Sequence, residues 1–183
     1  MKRIHTLALA GLLLAGCSSQ DQTGAGPTAP QAATPSASAD TPLDLCQLMP
    51  VADVAALLQA NGADTVTEQK AGAGGMCAYL HVPQPGDYRT RLLIDFTRMP
   101  SADQAKAALA ARRQDFADRG VAVTPVPDLG DEAFVAEAEG AEGLKLRIGD
   151  YQGQINLQVE GRQPATLRPA VLALGKQVTA RLH

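Results

Sequence analysis

Apolar and polar residues alternate most regularly over Tyr151 to Glu160, where Ile155, Leu157 and Val159 interleave with Gln152, Gln154, Asn156 and Gln158. A period of two puts each set on its own face of a strand. The apolar set predicts a buried face. The amide set predicts an outward one, which is either an ordinary solvated sheet face or an adaptable contact face made by Gln152, Gln154, Asn156 and Gln158. Leu144, Leu146 and Ile148 alternate with Lys145 and Arg147 in the same manner, and Gly149-Asp150 fits a hairpin turn between the two runs. Earlier in the chain, Leu92, Ile94 and Phe96 mark a strand over Arg91 to Thr97. Met76 to Val82 sets Met76, Ala78, Leu80 and Val82 against Cys77, Tyr79 and His81, and shorter runs at Asp64 to Gln69, Val121 to Val126 and Glu132 to Ala138 read as further strands.

Helical spacing appears three times. Val51, Val54, Ala55 and Leu58 form one stripe, stopped by Asn61-Gly62. Ser101-Ala-Asp-Gln104 is a capping box that opens a helix carrying Ala105, Leu109, Arg112 and Phe116 on one face, with Gly120 as its stop. Leu167, Val171, Leu174 and Val178 form the last stripe, with Pro169 in the first turn. The order is helix, strands, helix, strands, helix. Short turns and one-sided alternation predict an α+β domain: a mainly antiparallel sheet with about three helices packed on one face. Each half runs from a helix into strands, as two weak pseudo-repeats.

The first residues follow a different pattern. Met1-Lys2-Arg3 is basic, Leu7 to Ala15 is apolar, and Gly16-Cys17 follows. This is the layout of a secretory signal, and its apolar run falls short of the roughly 20 residues a spanning helix needs. Leu14-Ala15-Gly16-Cys17 resembles the lipobox of bacterial lipoproteins. That resemblance implies cleavage between Gly16 and Cys17, a thioether lipid on Cys17 and acylation of the new terminus; residues 1–16 would be the signal peptide. The implied partner is a membrane, held through the lipid. In a host with two membranes, Ser18-Ser19 implies sorting to the outer membrane, facing the periplasm. Residues 17–42 form a tether rich in Ala, Pro, Ser and Thr with no large apolar side chain, which cannot offset the entropy of ordering. Residues 43–183 suit a single domain.

Composition narrows the function classes. The net charge is −3, and within the domain only Arg112-Arg113 places two basic residues side by side, so nucleic acid is not an expected partner. Three Tyr, three Phe and no Trp leave few platforms for stacking sugars or bases. With Cys17 lipidated, Cys46 and Cys77 remain in an oxidising compartment, far apart in sequence and without Cys-x-x-Cys geometry. They are expected to form a structural disulfide.

Three stretches together resemble small bacterial envelope lipoproteins: Cys46-Gln-Leu-Met-Pro-Val-Ala-Asp-Val-Ala-Ala-Leu-Leu58, Cys77-Ala-Tyr79 and Leu129-Gly-Asp-Glu-Ala-Phe134. The resemblance spans most of the domain. It implies an α+β fold with a disulfide from the first helix to the first strands, and it carries no established activity.

Catalytic parts are scarce. Nucleophilic catalysis needs a nucleophile beside a base. The domain's one serine, Ser101, is a helix cap; His81 is its one internal histidine; the cysteines are expected to pair. Cys77 and His81 supply too few ligands for a zinc site. Gly72 to Gly75 lacks the Lys and Ser/Thr of a phosphate loop, and neighbouring Asp131 and Glu132 on a strand point apart. No catalytic, cofactor or metal site is therefore expected. The leading expectation is a non-enzymatic binding module for an envelope protein or a small apolar ligand. The alternatives are a carboxylate-based hydrolase of envelope polymers and an inhibitor or immunity protein against a periplasmic toxin.

Overall fold

The computed structural model describes residues 43–84, 86, 89–138 and 140–183; the expected signal sequence (residues 1–16), Cys17 and the expected tether lie outside the described residues. Among these residues seven strands run antiparallel to their neighbours: β1 Glu68–Gly72, β2 Met76–His81, β3 Thr90–Arg98, β4 Val123–Pro125, β5 Glu132–Ala138, β6 Ala141–Ile148 and β7 Tyr151–Val159. They make one sheet in the order β1-β2-β3-β7-β6-β5-β4. Among the described residues four α-helices accompany it: α1 Leu45–Leu48, α2 Val51–Ala60, α3 Ala102–Asp118 and α4 Arg168–Leu182, the last entered through a 3-10 turn at Pro164–Leu167. The fold class is α+β, as the alternation and short turns lead one to expect.

One sheet face carries the main core. Cys77 and Tyr79 from β2, Leu92, Ile94 and Phe96 from β3, Ile155, Leu157 and Val159 from β7, and Leu144, Leu146 and Ile148 from β6 are all buried there. Leu45 and Met49 at the first helix, Val54 and Leu58 of α2, and Val171, Leu174 and Val178 of α4 close over them. On β2 the core takes Cys77 and Tyr79, while the more numerous apolar residues Met76, Ala78 and Leu80 are only half-buried. Two covalent and polar ties decide this. Cys46 and Cys77 form a disulfide, with Cα atoms 5.3 Å apart and a sequence separation of 31. A loop of that size stabilises the fold by roughly 3 to 4 kcal/mol in the chain-entropy model. Tyr79 Oη donates to the Met49 carbonyl at 2.6 Å, satisfying a buried acceptor at the end of α1. The short α1 helix itself, capped by Asp44 Oδ1 accepting from the Gln47 amide at 3.0 Å, has too few residues to show a sequence period.

The expectation that all helices share one face is corrected by α3. Its Leu109 and Phe116 pack on Phe134 and Ala136 of β5, on the face opposite the main core, whereas Ala133 and Val135 of the same strand belong to that core. Phe116 and Phe134 meet edge-on with ring centroids 6.2 Å apart. β5 is thus buried on both faces, which the unbroken apolar run Ala133 to Ala136 fits better than one-sided alternation does. The strand trios β1–β3 and β5–β7 meet through β3 and β7, but the helices preceding them sit on opposite faces. The pseudo-repeat is one of strands, not of helices.

Candidate functional site: a groove between α3 and the amide face of the sheet

The Ser101 hydroxyl accepts from the Gln104 amide at 3.2 Å and fixes the start of α3. Ala105, Leu109 and Phe116 then anchor the helix by one stripe, and the neighbouring stripe, with Ala108, Arg112, Asp115 and Arg119, overhangs β6 and β7. Between that stripe and the sheet lies a groove of about 710 Å³, floored by Lys145, Gln154, Asn156 and Gln158. This volume falls in the range of about 300–1,000 Å³ typical of small-molecule clefts. Three of the four residues of the amide ladder therefore line one concavity. Gln152, the fourth, is not part of its lining and stands opposite Thr97 and Arg147 in the strand register.

The ladder is less solvated than alternation alone implies, because α3 shelters it: Gln152, Gln154 and Asn156 are half-buried and Gln158 is exposed. Its amides are engaged in an ordered network. Arg112 Nη1 donates to Gln154 Oε1 at 2.8 Å, and Gln154 Nε2 donates to Asp95 Oδ2 at 3.5 Å. Lys145 Nζ donates to Asn156 Oδ1 at 2.6 Å.

Lys145 is the unusual residue of the site. Only 4% of its surface is exposed, and among the described residues its ammonium has no carboxylate partner. Space for it exists because residue 143, two positions earlier on the same face, is glycine: a Cβ there would fall 2.8 Å from both Lys145 Nζ and Asn156 Oδ1. The ammonium also lies 5.6 Å from the centroid of the Phe116 ring. Burial, and secondarily the Arg112 guanidinium, lower its pKa to about 8. The groove's other cations differ in their ties. Arg119 Nη2 is paired with Asp115 Oδ2 at 2.8 Å, while Arg112 bonds a neutral amide. Among the described residues, three cations thus face a single carboxylate in the groove lining. Alternation puts Lys145 on the polar face of its strand, and helical spacing groups Arg112 with Ala105, Leu109 and Phe116; the structure instead turns Arg112 to the neighbouring stripe, over the groove, and nothing in either pattern shows that the two cations meet. The Gly143-x-Lys145 spacing is the one local signal, since it leaves an unfilled position beside a lysine on the same strand face.

The other candidates resolve separately. Asp131 Oδ2 accepts from Arg147 Nη1 at 2.9 Å and from the Gly149 amide at 2.6 Å, and Glu132 Oε1 pairs with Arg113 Nη2 at 3.1 Å. The two neighbouring acids are thus held by different arginines and do not face each other. Gly130, just before them, has φ 61° and a position where a Cβ would meet the Arg147 carbonyl at 2.5 Å, so this turn requires glycine. Cys77 is consumed by the disulfide, and His81 borders a shallow recess with Asp64, Thr65 and Arg89. Among the described residues no three His, Cys, Asp or Glu side chains come together. A further recess of about 500 Å³ near Leu43 and Tyr151 has its cation satisfied, with Arg98 Nε on Asp150 Oδ2 at 2.8 Å. Among the described residues no helix is long and apolar enough to cross a membrane. The chain matches no protein family and no curated protein compared with it.

Proposed function

We propose that the chain is a lipid-anchored envelope protein whose domain binds a partner in the groove between α3 and the amide face, without turning it over. The observation that carries this reading is the groove itself: Gln154, Asn156 and Gln158 line one concavity together with Arg112 and Lys145. Binding sites characteristically combine a preformed cleft with a few convergent polar groups. The anchor rests on the Leu14-Ala15-Gly16-Cys17 motif, and the Cys46–Cys77 disulfide supports an exported, oxidising setting. The hydrolase alternative gains nothing from Asp131 and Glu132, each of which is held by an arginine.

A photoreactive residue placed at Gln158 in the living host tests the reading. We expect a discrete adduct, to a protein or a small molecule, that is missing when the same residue replaces exposed Lys106 on α3. Ala111→Trp, which fills the groove from the helix side, should suppress it. The reading falls if both positions give the same adducts or if Ala111→Trp leaves the Gln158 adduct unchanged.

A further inference from the structure

We propose that the groove recognises a small ligand through an oxyanion, a carboxylate or phosphate group, seated between Lys145 and Arg112. This rests on the groove being the binding site and specifies what it binds. A lysine with 4% exposure and no ion pair among the described residues is a buried charge without a counterion. Such a group is costly unless paired and hydrogen-bonded. An ammonium has three N–H donors, and the structure gives Lys145 one acceptor, Asn156 Oδ1 at 2.6 Å. Arg112 Nη1 is spent on Gln154 Oε1, which orients the guanidinium and, among the described residues, leaves its other donors without a carboxylate.

The scaffold keeps this charge in place. Gly143 leaves the space that the ammonium occupies, and the Phe116 ring borders it. Asp115, the one acid of the lining among the described residues, is bound to Arg119. An incoming oxyanion would thus find the two cations of the lining that, among the described residues, lack acid partners. It would gain charge-assisted hydrogen bonds in a sheltered site, where they are stronger than at an open surface. The body of the ligand would lie along Ala108 and Ala111 on one side and Gln158 on the other.

The test uses the full chain, isotope-labelled, with inorganic phosphate and acetate as probes and chloride as the reference at constant ionic strength. Side-chain resonances of Lys145, Arg112 and Asn156 are followed by NMR. We expect saturable shifts with phosphate, acetate or both but not with chloride, and the probe that saturates first identifies the oxyanion. Saturation should raise the Lys145 pKa, because a bound anion favours the charged amine. Lys145→Met should weaken binding by about tenfold or more, as expected for loss of a charged hydrogen bond. Arg112→Gln, at a half-buried helix position, should weaken it as well and serves if the lysine variant does not fold. Shifts that match those of chloride overturn the proposal. So does affinity that stays within about twofold in the variants. If the Gln158 adduct persists in Lys145→Met while the anions give no response, the groove binds a partner by other means and only the oxyanion assignment is lost. If the adduct is missing too, both readings fail.

Discussion

Lys145 sits between Leu144 and Leu146, and its neighbours point into the main core while it points the other way, under α3. Because its pKa falls from 10.5 to about 8 on folding, the unfolded chain holds this proton more tightly than the folded one. Below about 8 both states are protonated and the full cost of burying the charge is present; above it the folded state loses the proton first, so stability rises with pH. Tyr79 acts in the opposite sense at higher pH. Burial raises its pKa in the folded state, so above the ordinary tyrosine value of 10.0 the unfolded chain ionises first and stability is lost. The informative window therefore runs from about pH 8 to about 9.5, below the tyrosine transition. Across it we expect the wild type to gain about 1 to 2 kcal/mol relative to Lys145→Met, at roughly 1.4 kcal/mol per pKa unit. Urea unfolding at a series of pH values measures this, and parallel curves for the two proteins would contradict the assignment. At this scale the sequence shows that Lys145, Gln154 and Asn156 are polar residues on strands. Their convergence depends on register and on a helix some forty residues away, with Arg112 reaching Gln154.

At the level of elements, most of the fold is legible because local periods and turn residues agree. β5 runs over Glu132–Ala138 as expected, the Gly149-Asp150 turn joins β6 to β7, and Leu167, Val171, Leu174 and Val178 bury the stripe of α4 and its entry turn. β1 is displaced: it spans Glu68–Gly72, later than the Asp64 to Gln69 run, because it follows the pairing of Gln69 with Tyr79 and of Ala71 with Cys77. Which sheet face a helix covers is not local information, and α3 shows this most clearly. Close approaches are equally hidden. Gly153 reads as a gap in the alternation of β7, yet it is the partner of Phe96 on β3. A Cβ at Gly153 would lie 2.4 Å from the Phe96 ring and 2.5 Å from the Asp95 carbonyl oxygen. The ring is fully buried and the oxygen belongs to a paired strand, so neither can retreat cheaply. Gly153→Ala is expected to destabilise the fold by about 2 to 3 kcal/mol through overpacking. Chemical denaturation measures the change; a loss below about 0.5 kcal/mol, the ordinary range of surface substitutions, would show that the strands part easily there.

For the molecule as a whole, the open question is how the domain is placed, and the disulfide and the N-terminal motif bear on it independently. Cys46 and Cys77 are joined in the core of the described domain, which fits assembly outside the reducing cytosol. On the proposed reading, Met1-Lys2-Arg3, the apolar run and Leu14-Ala15-Gly16-Cys17 would supply an export signal with a lipid attachment point at its end. Lipidation matters physically because each buried methylene contributes about 0.8 kcal/mol, so several acyl chains hold a protein far more durably than one. The groove on α3 would then meet its partner at the membrane surface, at the reach of the tether. We expect the wild type, grown with a clickable fatty acid, to carry the label and to begin at Cys17 by mass spectrometry of its N-terminal peptide. Cys17→Ala should carry no label and retain residues 1–16, since the thioether is the step that precedes cleavage in lipoproteins. The Cys46–Cys77 bond should still form in that variant, because the export signal is untouched. An unlabelled wild type, or a Cys17→Ala protein cleaved and released like an ordinary secreted one, would remove the anchor and leave a free envelope domain.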